Sequence, residues 1–104
     1  MTFELFTYVT PPGRRGALVK RFREGTLALF ARHGIEVVGM WVDDIDVDRL
    51  HYITRFPDAA ARDAAWAAFV ADPEWQELRR SSEADGPLVT YRTRSVLSSV
   101  LDED

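Results

Sequence analysis

The sequence predicts an α+β fold of the ferredoxin-like kind, a βαββαβ chain forming a four-stranded antiparallel sheet with two helices on one face. Three observations predict it. Four segments, 3–10, 35–43, 50–56 and 88–94, are rich in aromatic and β-branched residues and read as strands. Two stretches, 15–33 and 58–82, carry apolar residues at helical spacing. Only the acidic turn DIDVD separates the second strand from the third, so these two form a hairpin. Right-handed crossovers then put both helices on one side of the sheet.

The first strand, FELFTYVT, ends at PPG (11–13). From Arg15 to His33 the stripe Leu18, Phe22 and Leu29, flanked by Val19, Thr26 and Phe30, predicts a helix that stops at Gly34. IEVVGMWVD (35–43) and LHYITRF (50–56) make the hairpin strands, and Pro57 closes the second of them. Asp58 caps an alanine-rich helix. Asp72 then interrupts it as a fresh N-cap, with Pro73 in the first helical position, so the helix restarts and runs to Ser82. Trp75 and Leu78 on the restarted piece are expected to close the end of the core or its pocket. EADGP is a loop, LVTYRTR (88–94) the fourth strand, and the acidic tail to Asp104 is expected to fray.

At 104 residues, 46% of them hydrophobic, the chain builds one core and reads as a single domain over 1–104. Its net charge of −4 has the wrong sign for a general nucleic-acid binder. The absence of cysteine excludes disulfides, thiolate catalysis and cysteine metal sites, and it suits a reducing cytoplasm. MTFELFTYVT lacks the basic and apolar regions of a secretory signal, and no apolar run approaches the roughly 20 residues of a membrane span. A cytoplasmic protein without nucleic-acid or membrane partners is the expectation.

The second strand, Val37-Val38-Gly39-Met40-Trp41-Val42, is apolar at both parities. Neither of its faces is built for water, yet two helices cover only one. A second copy of the same sheet is the simplest cover for the other, so a homodimer is expected.

The candidate chemistry sits on the third strand. His51 and Arg55 are four residues apart and share a face, a base beside a fixed cation. They are the candidate catalytic pair, with an interface role as the alternative. The hairpin is expected to place Trp41 near Tyr52 and Gly39 near Thr54, which leaves space for a flat ligand. The aromatics expected to bind a small organic ligand are Tyr8, Trp41, Tyr52, Trp66, Trp75 and Tyr91.

Within DDIDVD (43–48), Asp44, Asp46 and Asp48 imitate the start of a calcium loop, but counted from Asp44 its sixth position would be Arg49 and its twelfth Arg55, so no metal is expected. RRGALVKRFR (14–23) reads as a solvated basic face. Gly25 reads as a close helix–sheet approach, and His33 as a favourable charge at a helix C-terminus.

The segments FELFTYVTPPG (3–13), FARHGIEVVGMW (30–41), RFPDAAARDAAWAAF (55–69) and ADPEWQEL (71–78) resemble, in the same order, the NIPSNAP family of the dimeric α+β barrel superfamily. The chain departs from the family at Phe6, where a basic residue is common. The resemblance implies the barrel fold and the dimer. The superfamily includes cofactor-independent monooxygenases, haem-degrading enzymes, isomerases and cyclases. The functional expectation is therefore a small-molecule-binding dimer, and a monooxygenase-like enzyme using neither metal nor cofactor, acting on an apolar or aromatic compound between sheet and helices. The alternatives are an isomerase or cyclase using the same cavity, or a non-catalytic dimeric interaction protein.

Overall fold

Strict alternation along the first strand sorts its side chains. Glu4, Phe6, Tyr8 and Thr10 are buried, while Phe3, Leu5, Thr7 and Val9 are half-buried on the opposite face. The structure, a computed structural model, describes residues 1–101. Strand β1 spans Thr2–Val9, β2 Glu36–Val42, β3 Arg49–Phe56 and β4 Tyr91–Leu97. They form one antiparallel sheet in the order β2-β3-β1-β4, the ferredoxin-like order. Among the described residues no helix is long and apolar enough to cross a membrane.

The predicted first helix is α1 (Arg15–Arg21), one π-helical turn (Phe22–Thr26) and α2 (Leu27–Arg32) in succession. Leu27 N–H bonds back to the Phe22 carbonyl, and the Thr26 hydroxyl donates to the Arg21 carbonyl at 3.3 Å. Gly34, at φ +77°, ends α2 in the left-handed region where a side chain would be strained. The second helix is broken where the sequence predicts. Helix α3 (Ala59–Ala71) is capped by Asp58, and α4 (Pro73–Ser82) by Asp72, whose carboxylate accepts the Glu74 N–H at 2.8 Å. His33 Nε2 meets the other Asp72 oxygen at 2.6 Å, and Arg32 reaches the same carboxylate, so the end of α2 is pinned to the break.

The core between sheet and helices is aromatic. Phe6 stacks on Tyr52 at 4.8 Å, and Phe30 meets Phe69 at 4.9 Å edge to face. Leu18, Phe22, Leu50 and Phe56 fill the remainder, each burial stabilising by about 1.5–3 kcal/mol. Gly25 admits Leu78 of α4: a Cβ there would lie 2.6 Å from a Leu78 methyl. The close approach is therefore helix to helix, not helix to sheet as expected.

Two strands differ from the sequence reading. β4 starts at Tyr91 rather than Leu88, because Leu88 is a core plug reached from the loop, its N–H held by Glu83 at 3.3 Å. β2 carries a bulge between Val37 and Gly39, where Val38 is the extra residue. The bulge moves the hairpin register by one. Trp41 pairs with His51 and Gly39 with Ile53, not with Tyr52 and Thr54.

Candidate ligand cavity

The helix-facing row of β1, Glu4, Phe6 and Tyr8, forms the floor of a cleft of about 930 Å³. Arg21, Phe22, Thr26 and Phe30 come down from the first helical layer, and Trp66, Phe69 and Trp75 from α3 and α4. Arg92 and Arg94 enter from β4. The cleft exists because β4 is an uncovered edge: all seven of its residues are exposed, so the helical layer stops short of it.

Glu4 is fully buried in this floor. Its Oε1 accepts from Trp66 Nε1–H at 2.7 Å and from the Thr54 hydroxyl at 3.1 Å. Oε2 lies 2.5 Å from Arg94 Nε but receives no aligned hydrogen bond. A buried carboxylate costs several kcal/mol of desolvation, so three residues gathered round one acid form a built arrangement. At the other end of the row the Tyr8 and Tyr52 hydroxyls are 2.7 Å apart. Burial first, and then Tyr8, push the Tyr52 phenol well above its ordinary value, so it stays neutral.

Arg21 is 7% exposed. Its guanidinium lies over the Trp75 ring, 5.1 Å from the centroid, and donates to the Ser82 hydroxyl at 3.2 Å. Glu83 is 3.8 Å away, and Arg21 Nε has no partner. Desolvation lowers the Arg21 pKa, partly offset by Glu83. A second, more open depression of about 700 Å³ between α2 and β2 holds one ionisable group, Glu36, which already pairs with Arg55.

Of the sequence-nominated residues, Tyr8, Trp66, Trp75 and Tyr91 line the cleft. Tyr52 lies beneath it, stacked under Phe6 and inaccessible. Trp41 is on the opposite face, half exposed, with its ring over Gly39: a Cβ there would be 2.6 Å from the ring. The space expected beside Gly39 is filled by Trp41 itself. His51 and Arg55 do share a face, but it is the outer one. Each His51 ring nitrogen has a partner, Thr7 Oγ1 at 2.9 Å and Asp43 Oδ2 at 2.9 Å, and Arg55 pairs with Glu36. Asp43 is held below the usual carboxylate range, first by the Asp46 N–H and then by His51.

Sequence reasoning missed Glu4, Arg21 and Arg94. Glu4 had a signal, as the one acid in an aromatic strand at the parity of Phe6 and Tyr8. Arg21 had one too: it follows Leu18 by three residues and so shares the core stripe. The basic stretch 14–23 is therefore not uniformly solvated; Arg15 also turns inward, to the Asp43 and Asp46 carbonyls of the hairpin. The aspartates of that hairpin organise its turn, Asp43 Oδ1 accepting from the Ile45 and Asp46 N–H groups. Among the described residues no three acids or histidines are placed to share a metal.

Solved structures share this architecture. The chain is similar to protein Atu4242 from Agrobacterium tumefaciens, with a TM-score of 0.85 and 22% identity over 97% of this chain and 95% of that one. It is equally similar to an uncharacterised NIPSNAP domain protein from Burkholderia xenovorans, with a TM-score of 0.85 and 20% identity over 100% of both chains. A structure titled antibiotic biosynthesis monooxygenase matches at a TM-score of 0.67 and 17% identity, over 96% of this chain and 99% of that one. These likenesses show the fold, which is that of the dimeric α+β barrels. Comparison with curated proteins gives no match. The NIPSNAP family profile covers residues 3–99, nearly the whole chain, and the chain belongs to the NIPSNAP family.

Proposed function

We propose that this protein binds a small, flat, apolar or aromatic molecule in the cleft and acts on it as an enzyme of the cofactor-independent monooxygenase kind. One observation carries the reading: an aromatic-walled cleft of about 930 Å³ whose floor holds a fully buried carboxylate, Glu4. Such chemistry asks for a proton acceptor, an apolar cavity and a stabiliser for the substrate anion, which then itself reduces dioxygen. Glu4 is the acid in the floor. Arg94, with a half-exposed side chain, is free to swing from Glu4 toward an incoming ligand.

In this reading Glu4, not His51, accepts the proton. His51 and Arg55 belong to the outer face, where Val38 and Trp41 are each 51% exposed. We assign that face to a second copy of the chain, sheet against sheet. Sedimentation at micromolar concentration tests this, and a species of only 11.8 kDa would refute it.

The functional experiment follows enolisable aromatic ketones by oxygen uptake and by exchange of the acidic C–H with deuterated solvent. Glu4→Gln is expected to lower both by roughly 10²–10⁴-fold, the range for a lost general base. His51→Ala is expected to leave both within a few-fold. Exchange without oxygen uptake would select the isomerase or cyclase alternative. Neither exchange nor binding would make the chain a non-catalytic dimeric interaction protein.

A further inference from the structure

The cleft is polarised along its floor. Residues Glu4 and Tyr8 are four apart on β1, about 13 Å at the rise of a strand. At the Glu4 end, acid and base neutralise each other, Glu4 against Arg94. At the Tyr8 end they do not. Arg92 stands opposite Tyr8 in the β1–β4 register, lines the cleft, and its side chain makes no ion pair or hydrogen bond among the described residues. Arg21 comes from the helical layer on the other side and lines the same cleft as Tyr8. It is more than nine-tenths buried and lines the cleft with a bare Nε–H. Its one nearby acid, Glu83, is too distant to hydrogen-bond. Glu83 is also shared, accepting from Arg79 Nε at 3.1 Å and from the Leu88 N–H.

The result is surplus positive charge in the wall of an acidic protein, beside a tyrosine hydroxyl backed by the neutral Tyr52. Burying a guanidinium without a full complement of acceptors costs stability, and a ligand oxyanion would supply the missing acceptors. The aromatic walls supply stacking surface for the rest of the molecule.

We infer that the cleft selects aromatic or conjugated acids, with the ligand's carboxylate held by Arg21, Arg92 and the Tyr8 hydroxyl. This rests on the cleft being a ligand site and adds the class of ligand. The ring lies over Phe6, and the anionic end is directed away from Glu4, so the acid in the floor faces the opposite end of the molecule. An anion at the Glu4 end would meet like charge.

The experiment compares 2-naphthoate with its neutral isostere 2-naphthamide, titrated against the intact protein and read by tryptophan fluorescence. Naphthoate is expected to bind roughly tenfold or more tightly than the amide, as for hydrogen bonds to a charged group. Arg92→Gln, at an exposed position, should remove most of that preference and weaken amide binding far less than naphthoate binding. Arg21→Met, which keeps the bulk over Trp75, should do the same; a melting curve on each variant checks folding. Equal binding of the two probes, or an equal loss of both in Arg92→Gln, would overturn the inference while leaving the cleft as a ligand site. Binding of neither probe would overturn both.

Discussion

The two faces of the sheet carry similar residue types in opposite circumstances. On the outer face His51 sits between Thr7 and Asp43, each ring nitrogen occupied, within reach of solvent. On the helix face Glu4 and Arg21 are nearly or fully buried, and each keeps an atom without a hydrogen-bond partner. A satisfied, half-exposed cluster is cheap to maintain and holds a surface together. A buried, incompletely satisfied one is expensive, and it persists where a ligand completes it. The histidine was the obvious chemical candidate by residue type. Arg55 on the outer face also keeps a buried Nε without a partner, so it is the full burial of Glu4 that supports reading the helix face as the site.

Neighbouring residues on β1 sharpen this contrast most. Phe6→Ala removes a ring packed on Tyr52 and Trp66 and is expected to cost about 3–5 kcal/mol. Leu5→Ala on the outer face is expected to cost less at low concentration. If a second copy covers that face, the Leu5 deficit grows as protein concentration rises, because association contributes to the melting temperature. Thermal melts across a hundredfold concentration range check both, and a Leu5 variant indifferent to concentration would leave the outer face uncovered.

A smaller effect lies at the helix break. Asp72→Ala removes the cap of α4, strips His33 of its partner and leaves Arg32 only Glu74, with an expected loss of about 0.5–2 kcal/mol in denaturant unfolding. Glu4→Gln makes a useful reference here, since its main effect is expected on turnover.

The smallest concerns pH. Asp72 is held below its ordinary value first by His33 and then by the Glu74 N–H, and Asp43 by the Asp46 N–H and His51. A carboxylate depressed in the folded state contributes stability that is present above its unfolded value, about 3.9, and lost as pH falls further. Melting temperature should therefore drop below about pH 4. Asp43→Asn and Asp72→Asn should each flatten that drop, one reporting on the outer face and the other on the helical layer. An unchanged acid limb in both variants would contradict the assignment.

The element order, the caps at Asp58 and Asp72 and the stop at Gly34 were legible because each depends on a few adjacent residues. The bulge at Val38 was not, since V-V-G-M alternates equally well in either register and only pairing with β3 decides it. The start of β4 was misread for a related reason: Leu88 has a strand residue's character but is spent as a core plug. Four of the six nominated aromatics border the cleft, but only Tyr8, Trp66 and Trp75 do so from the packed layers; Tyr91 is 62% exposed on the edge strand, opposite the outward-facing Val9. Glu4 and Arg21 stayed hidden because charged residues are read as surface by default, and burial is a property of the assembled layers. The expected fraying of the tail falls in part on residues 102–104, outside those described.

The π turn at Phe22–Thr26 has a consequence for how such a cleft changes over evolutionary time. A π turn holds one residue more than the α-helical path it replaces, so the helix after it is rotated by about 100° relative to an uninterrupted one. α1 and α2 are in effect two barrels of a combination lock on one axis. The first dials Leu18 and Arg21, and the second dials Leu29 and Phe30. An insertion or deletion of a single residue between them would reset one dial and leave the other. The Arg21 end of the cleft could thus be exchanged while the aromatic packing against Phe69 stays as it is.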